Sequence, residues 1–427
     1  MGRSRISTLS SAAIALGAAT VLALGACTAA PEPTASSAPP AAEAPGTGIL
    51  PGYQDETTLQ FSPLIIGVLN PDVVPVRGSD GVYYVAYELT ILNDAPRDAT
   101  MTAIETIADD EHGAVVSIAD QAQIAANTLL AGGTPTGTAE IPVGRTAIVV
   151  VRAGYPSLEA IPATFTHRVI ATFAPPTPDG PRLASMYPDE VAQIGGFVTT
   201  STETPLAIGA PVAGDGWFAN NSLESAALNA HSDVIIPVGG RITGAERYAI
   251  DFLRIDVATM TSTDGDPALN ESYLAFDQPL LAVADATVVR VVSTLPDVTP
   301  RQIGTIDVVD EATGNHVVLD LGGGVFAMYA HMKQGSATVA VGDTVVMGQE
   351  IGRLGNSGNT SEAHLHFQLQ RGPLLSAESV PFVIERFTAT GILDATGDSV
   401  VPPPLPGERT NEFPVMNTIS RFPDQRM

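Results

Sequence analysis

The sequence predicts an all-β protein of two strand-rich domains, and three observations lead there. Short apolar runs alternate with turn signals along most of the chain. Ala, Val, Thr, Gly and Pro dominate, with 40 glycines and 34 prolines, a composition that favours strands and turns over long helices. Gly239-Gly240 and Gly322-Gly323-Gly324 each separate two apolar runs, as hairpin turns do. At 427 residues, 44% of them apolar, the chain is long enough for two or three domains with sizeable cores.

The elements follow in order. Arg3 and Arg5 precede an apolar stretch from about Ala12 to Leu24, too short to span a bilayer comfortably and therefore read as a secretory signal. It ends in Leu24-Gly25-Ala26-Cys27, which resembles a bacterial lipobox. That resemblance implies a signal over residues 1–26 and acylation of Cys27. The expected partner is thus the membrane, through a two-chain anchor, with the protein at the extracellular face. Cys27 is the only cysteine, so no intramolecular disulfide can form. Residues 27–55, rich in Pro, Ala, Ser and Thr, read as a tether. Residues 56–175 hold apolar runs at Val82–Leu92, Ala99–Ile107, Thr146–Val151 and Phe165–Phe173, spaced as in a β-sandwich. Pro142-Val143-Gly144-Arg145 before an apolar strand resembles immunoglobulin-like modules. His112 and His167 stand alone here and read as structural. Residues 176–215 read as a linker, 216–390 as the second domain with Trp217 packed on its edge, and 391–427 as a loosely held tail.

Charge narrows the function. The formal net charge is −26 and Lys333 is the only lysine. Phosphate binding draws its affinity from Lys and Arg, so the composition argues against nucleic acid and against adsorption to anionic lipid.

The chemistry concentrates near residue 365. On a strand, residues i and i+2 share a face, so His364 and His366 project into one site while Leu365 points away. They lie within Gly355-Asn356-Ser357-Gly358-Asn359-Thr360-Ser361-Glu362-Ala363-His364-Leu365-His366-Phe367. That run resembles the signature of the lysostaphin-type (LytM-like) zinc endopeptidases. Leu281 to Val288, Gly314 to Asp320, Tyr329-Ala330-His331-Met332, Val341-Gly342-Asp343 and Gly348 to Gly352 resemble further segments of that family, in the same order. The resemblance implies a duplicated hybrid motif β-barrel as the second domain, with one zinc ion and peptidoglycan peptide as substrate. Carried over residue by residue, it implies Asp251 and His366 as zinc ligands and His331 and His364 as catalytic histidines.

One position departs from the pattern. Four residues before Asp251 the family has its other histidine ligand, and here stands Arg247. A guanidinium has no lone pair to offer a metal. Three readings stay open. His231 completes the site from across the Gly239-Gly240 hairpin, with Glu246 a poorer candidate because it should face away from Asp251. Or zinc binds weakly or not at all, and the domain serves as a wall-binding module or as activator of a partner hydrolase. Or Arg247 pairs with Asp251 and the cleft takes a carboxylate. The expectation is a lipid-anchored surface protein with a zinc metalloendopeptidase-like domain hydrolysing peptide bonds of peptidoglycan.

Overall fold

The computed structural model describes residues 62–424 apart from 133–135, 179, 224–226, 303–310 and 395. The signal and most of the tether, Cys27 included, lie outside the described residues. Among those described, the regular structure is nearly all strand, and no helix is long and apolar enough to cross a membrane.

Two sheets build the N-terminal domain. One runs in the order Leu64–Val68, Tyr83–Asn93, Thr146–Tyr155, Thr128–Leu130. The other contains Val115–Asp120, Ala99–Ala108, Thr164–Phe173 and Glu190–Thr200 side by side. Their facing residues, among them Tyr87, Leu89 and Ile91 from the first and Met101, Ile104, Phe165 and Val169 from the second, form one core. The last strand corrects the sequence reading. Residues 190–200 were expected in a linker, yet Glu190–Thr200 pairs along the length of Thr164–Phe173. Its glycines, Gly195 and Gly196, weaken the strand pattern in sequence, but they sit where a Cβ would press on Ile66 and Leu89.

His167 is structural, as expected, and fully buried. Its Nδ1–H donates to the Gly196 carbonyl at 2.8 Å, so its Nε2 accepts from the Tyr87 hydroxyl at 2.7 Å. Burial depresses its pKa to about 4, against the partial support of the Gly196 and Gly195 carbonyls. The unfolded chain therefore takes up this proton first as pH falls. The domain loses stability progressively from about pH 6.5 to about pH 4, by roughly 3 kcal/mol for this group. Urea unfolding between those pH values measures it, and the slope should shrink in His167→Gln.

The second domain centres on one 12-stranded sheet. Its middle runs Asn315–Asp320, Phe326–Met332, Leu365–Gln370, Ile250–Arg254, Gly214–Asn220, Thr418–Phe422, Phe387–Leu393. The tail is thus not loosely held. Thr418–Phe422 is an inner strand between Gly214–Asn220 and Phe387–Leu393, and Phe413, Ile419 and Phe422 are buried. Trp217 is also fully buried rather than packed on an edge, with its indole N–H donating to the Ala213 carbonyl at 2.8 Å.

The two domains share a core. Val76, Tyr84 and Ala86 of the first pack in the same cluster as Phe382, Phe387 and Phe413 of the second. Backbone bonds join Ser79 to Phe413 and Phe413 to Arg77, both at 2.8 Å.

Candidate metal centre

Asp251 and His366 meet because their strands are neighbours. They are direct partners in the antiparallel register of Ile250–Arg254 with Leu365–Gln370. Odd residues of the latter strand, Leu365, Phe367 and Leu369, enter the apolar core. Even residues carry the polar face, and His364, at i−2, joins them. Both imidazoles reach Asp251 Oδ1, His366 through Nδ1 at 3.2 Å and His364 through Nε2 at 3.4 Å.

His331 needs a different device. Regular alternation would turn it away from the face that His366 occupies, because its neighbour Ala330 is the register partner of His366. The ladder is irregular here and His331 takes φ 60°, a left-handed backbone that re-aims a side chain. Its ring lies 4.7 Å from that of His364 and 6.0 Å from that of His366, centre to centre. Its Nδ1–H donates to the Ser357 carbonyl at 2.8 Å. Gly314 allows that approach, since a Cβ there would sit 2.2 Å from the Ser357 oxygen.

His231 completes the cluster. Its Nε2 lies 3.1 Å from Asp251 Oδ1 and 3.2 Å from His366 Nδ1. It does not arrive by strand register. The hairpin of Ile235–Val238 with Arg241–Gly244 forms as expected, but His231 sits in a turn beyond it. That turn is shaped by Asn229 Oδ1, which accepts from the His231 and Ser232 amides.

The family resemblance places Arg247 at a ligand position, and the structure takes it elsewhere. Residues 245–248 form a turn rather than a continuing strand. The Arg247 guanidinium donates to both carboxylate oxygens of Glu88 in the N-terminal domain, at 2.8 and 2.6 Å, with Glu378 at 3.7 Å. Burial opposes the charge, and Glu88 more than restores it, so the pKa is raised. The Arg247–Asp251 pair of the third reading does not form, since Arg247 is committed to Glu88. Removing one partner of so buried a pair costs about 3–5 kcal/mol. The same turn buries Glu246 within the field of His366 and Asp251, and Glu246 is not among the converging His231, Asp251 and His366. Burial lifts its pKa to about 7.

The hydrogen-bond network tests whether this cluster suits a cation. Gln368 donates through its Nε2 to the Ala245 carbonyl and to Gln370 Oε1. Its Oε1 must therefore accept from His366 Nε2, at 3.0 Å. In neutral His366 the lone pair is then on Nδ1, facing the Asp251 carboxylate. Asn221 donates to the other Asp251 oxygen at 2.8 Å, leaving Oδ1 for the cluster. Two acceptors at 3.2 Å repel unless a cation or a proton lies between them. Tetrahedral zinc, with nitrogen and oxygen ligands at about 2.0–2.1 Å, sets those ligands about 3.3 Å apart, close to the 3.1–3.2 Å seen. His231, Asp251 and His366 are the one such group among the described residues, and they fit. Sequence reasoning gave no role to Asn221, Gln368 or Ser357; Gln368 left a signal through its i+2 spacing from His366, and Ser357 through its place in the run from Gly355 to Phe367.

Without a metal, burial works against charge on Asp251, but His231 and His364 prevail and hold its pKa well below the carboxylate range. Burial, with His364 and His366 beside it, pushes His331 well below the imidazole range, so it is neutral. Burial disfavours charge on His364 too, yet Asp251 raises its pKa. All five residues are buried. One cleft lies elsewhere, between the domains, lined by Asp72, Thr200, Glu203, Arg371 and Glu378 among others. Converging lone pairs, rather than volume, decide where the chemistry lies.

Residues 274–376 match the model of peptidase family M23. This stretch is an M23 peptidase domain. The match includes His331, His364 and His366 and begins after Asp251 and His231, which the M23 domain acquires through the fold. The family is zinc-dependent, and the His/Asp/His cluster is compatible with that. Among solved structures the chain resembles a variant of the catalytic domain of the prophage-encoded M23 protein EnpA from Enterococcus faecalis. Identity there is 23%, over 28% of this chain and 85% of that one, with a TM-score of 0.19. It also resembles the catalytic domain of the antimicrobial peptidase lysostaphin from Staphylococcus simulans, at 18% identity over 41% and 88%, TM-score 0.21. A zinc-containing peptidase from Vibrio cholerae is 12% identical over 74% and 83%, TM-score 0.21. No curated protein matches the chain.

Proposed function

We propose that this protein is a zinc metalloendopeptidase that hydrolyses peptide bonds of peptidoglycan at the outer face of the cell membrane. The convergence of His231 Nε2, Asp251 Oδ1 and His366 Nδ1 within 3.1–3.2 Å carries the reading. When bound, zinc supplies Lewis acidity toward water and a carbonyl oxygen. The chain's own residues supply the proton handling. His331, neutral and with Nδ1–H committed to Ser357, has its Nε2 lone pair for a water proton. His364 commits Nδ1–H to the Glu362 carbonyl at 2.8 Å, and its raised pKa suits Nε2–H to donate to a developing oxyanion.

Metal analysis of the purified protein, paired with mass-spectrometric detection of cleaved wall peptides, tests this. Near-stoichiometric zinc with cleavage supports it. The burial of all five site residues favours a second reading, a closed domain that activates a partner hydrolase. Zinc without cleavage of any wall peptide selects that one.

The lipid anchor belongs to the same proposal. Cys27→Ala should move the protein from the detergent phase to the aqueous phase in a detergent-partition assay, since two acyl chains are needed for stable anchoring. Unchanged partitioning rules the anchor out.

A further inference from the structure

The contacts of the N-terminal domain converge on the segment that supplies His231. His366, His364 and His331 each have a ring nitrogen fixed by a partner outside the cluster: Gln368, Glu362 and Ser357. His231 has none, because its Nδ1 is buried and makes no hydrogen bond. An imidazole without such a partner depends on its backbone for orientation.

That backbone is held from across the domain boundary on both sides. Before His231, the Leu228 amide donates to the Ala126 carbonyl at 3.3 Å, and the Arg152 guanidinium donates to the Ala227 carbonyl and, at 3.0 Å, to Asn127 Oδ1. Leu228, Ile235 and Ile242 pack on Leu129, Ile148 and Val150 of the N-terminal domain. After His231, the Glu88–Arg247 pair fixes the turn that follows the hairpin. Gly244 makes room for it, since a Cβ there would lie 3.0 Å from both Glu88 Oε1 and Arg247 Nη2.

We propose that the N-terminal domain is part of the metal site: Glu88, Arg247 and Arg152 are positioning residues that set the His231 turn at ligand distance. The residue at the family's ligand position has changed task, from holding the metal to holding the loop that replaces it. This rests on His231 being a ligand. Zinc binding and domain docking are then thermodynamically linked, each strengthening the other.

The test uses the full chain. Zinc affinity is measured by chelator competition, and the absorption spectrum of the cobalt-substituted protein reports the ligand set. His231→Ala, Glu88→Gln, Arg152→Met and the double variant His231→Ala/Glu88→Gln are compared, with circular dichroism confirming the fold. Glu88→Gln should weaken zinc binding about 10–100-fold, the range for loss of a residue supporting a ligand, and shift the cobalt spectrum toward that of His231→Ala. The double variant should bind no worse than His231→Ala alone, because both changes act through one side chain. If Glu88→Gln does not fold, Arg152→Met decides by the same criteria. Zinc affinity within twofold of wild type in the folded anchoring variants overturns the proposal, as do additive losses. If His231→Ala itself keeps full affinity, the ligand assignment fails instead.

Discussion

His231→Ala should lose zinc while keeping its fold. The residue is one of the three protein ligands proposed above, so the loss in affinity should exceed the roughly 10–100-fold that follows removal of an outer-shell hydrogen bond. Little else depends on the side chain: its ring contacts the cluster, and Nδ1 has no partner to lose. Without a metal, Asp251 also loses one of the two histidines, His231 and His364, on which its depressed pKa leans. Metal content after dialysis, with circular dichroism as the fold control, checks this. Retained stoichiometric zinc would return the site to a two-ligand description and would leave the buried convergence of His231, Asp251 and His366 without a chemical purpose.

The second large effect separates binding from chemistry. His364→Ala should keep zinc and lose wall-peptide cleavage by a factor of about 10²–10⁴, the usual weight of one general acid or base. His364 lies 3.4 Å from Asp251 Oδ1, at the margin of the cluster, and it does not belong to the converging trio. His331→Ala should behave alike, since His331 touches the rings of His364 and His366 rather than Asp251. Steady-state cleavage rates with metal content measured on the same samples decide it. Loss of zinc in His364→Ala would make this residue a fourth ligand and remove its assigned proton donation.

What could be read from the sequence was what local periodicity controls. The i, i+2 spacing put His364 and His366 on one face, and they are there. The hairpin at Gly239-Gly240 forms where the two glycines require it. Asp251 and His331 were reached through resemblance, and the fold brings both to His366. The rest depended on contacts distant in the chain. Nothing near Arg247 announces Glu88, 159 residues earlier. His231 was expected from strand register and came from a turn, because residues 245–248 leave the strand and free the segment from strict alternation. The boundary at 175 failed for a related reason: Glu190–Thr200 lies beyond a proline-rich stretch, which reads as a break whether or not the chain returns to the same sheet. Thr418–Phe422 was too short and too far from its partners to be read as an inner strand.

That strand has a consequence for how the molecule comes into being. Gly214 pairs with Phe422, and Gly78 bridges Phe413, so the sheet that carries Asp251 stays open along one side until residue 422 has been synthesised. Pairings this distant carry a large loop-closure cost and form late. The nascent chain thus carries its histidines for most of its synthesis without a finished sheet to hold them. Completion of the sheet that carries Asp251 waits on Thr418–Phe422, a delay written into the order of the strands.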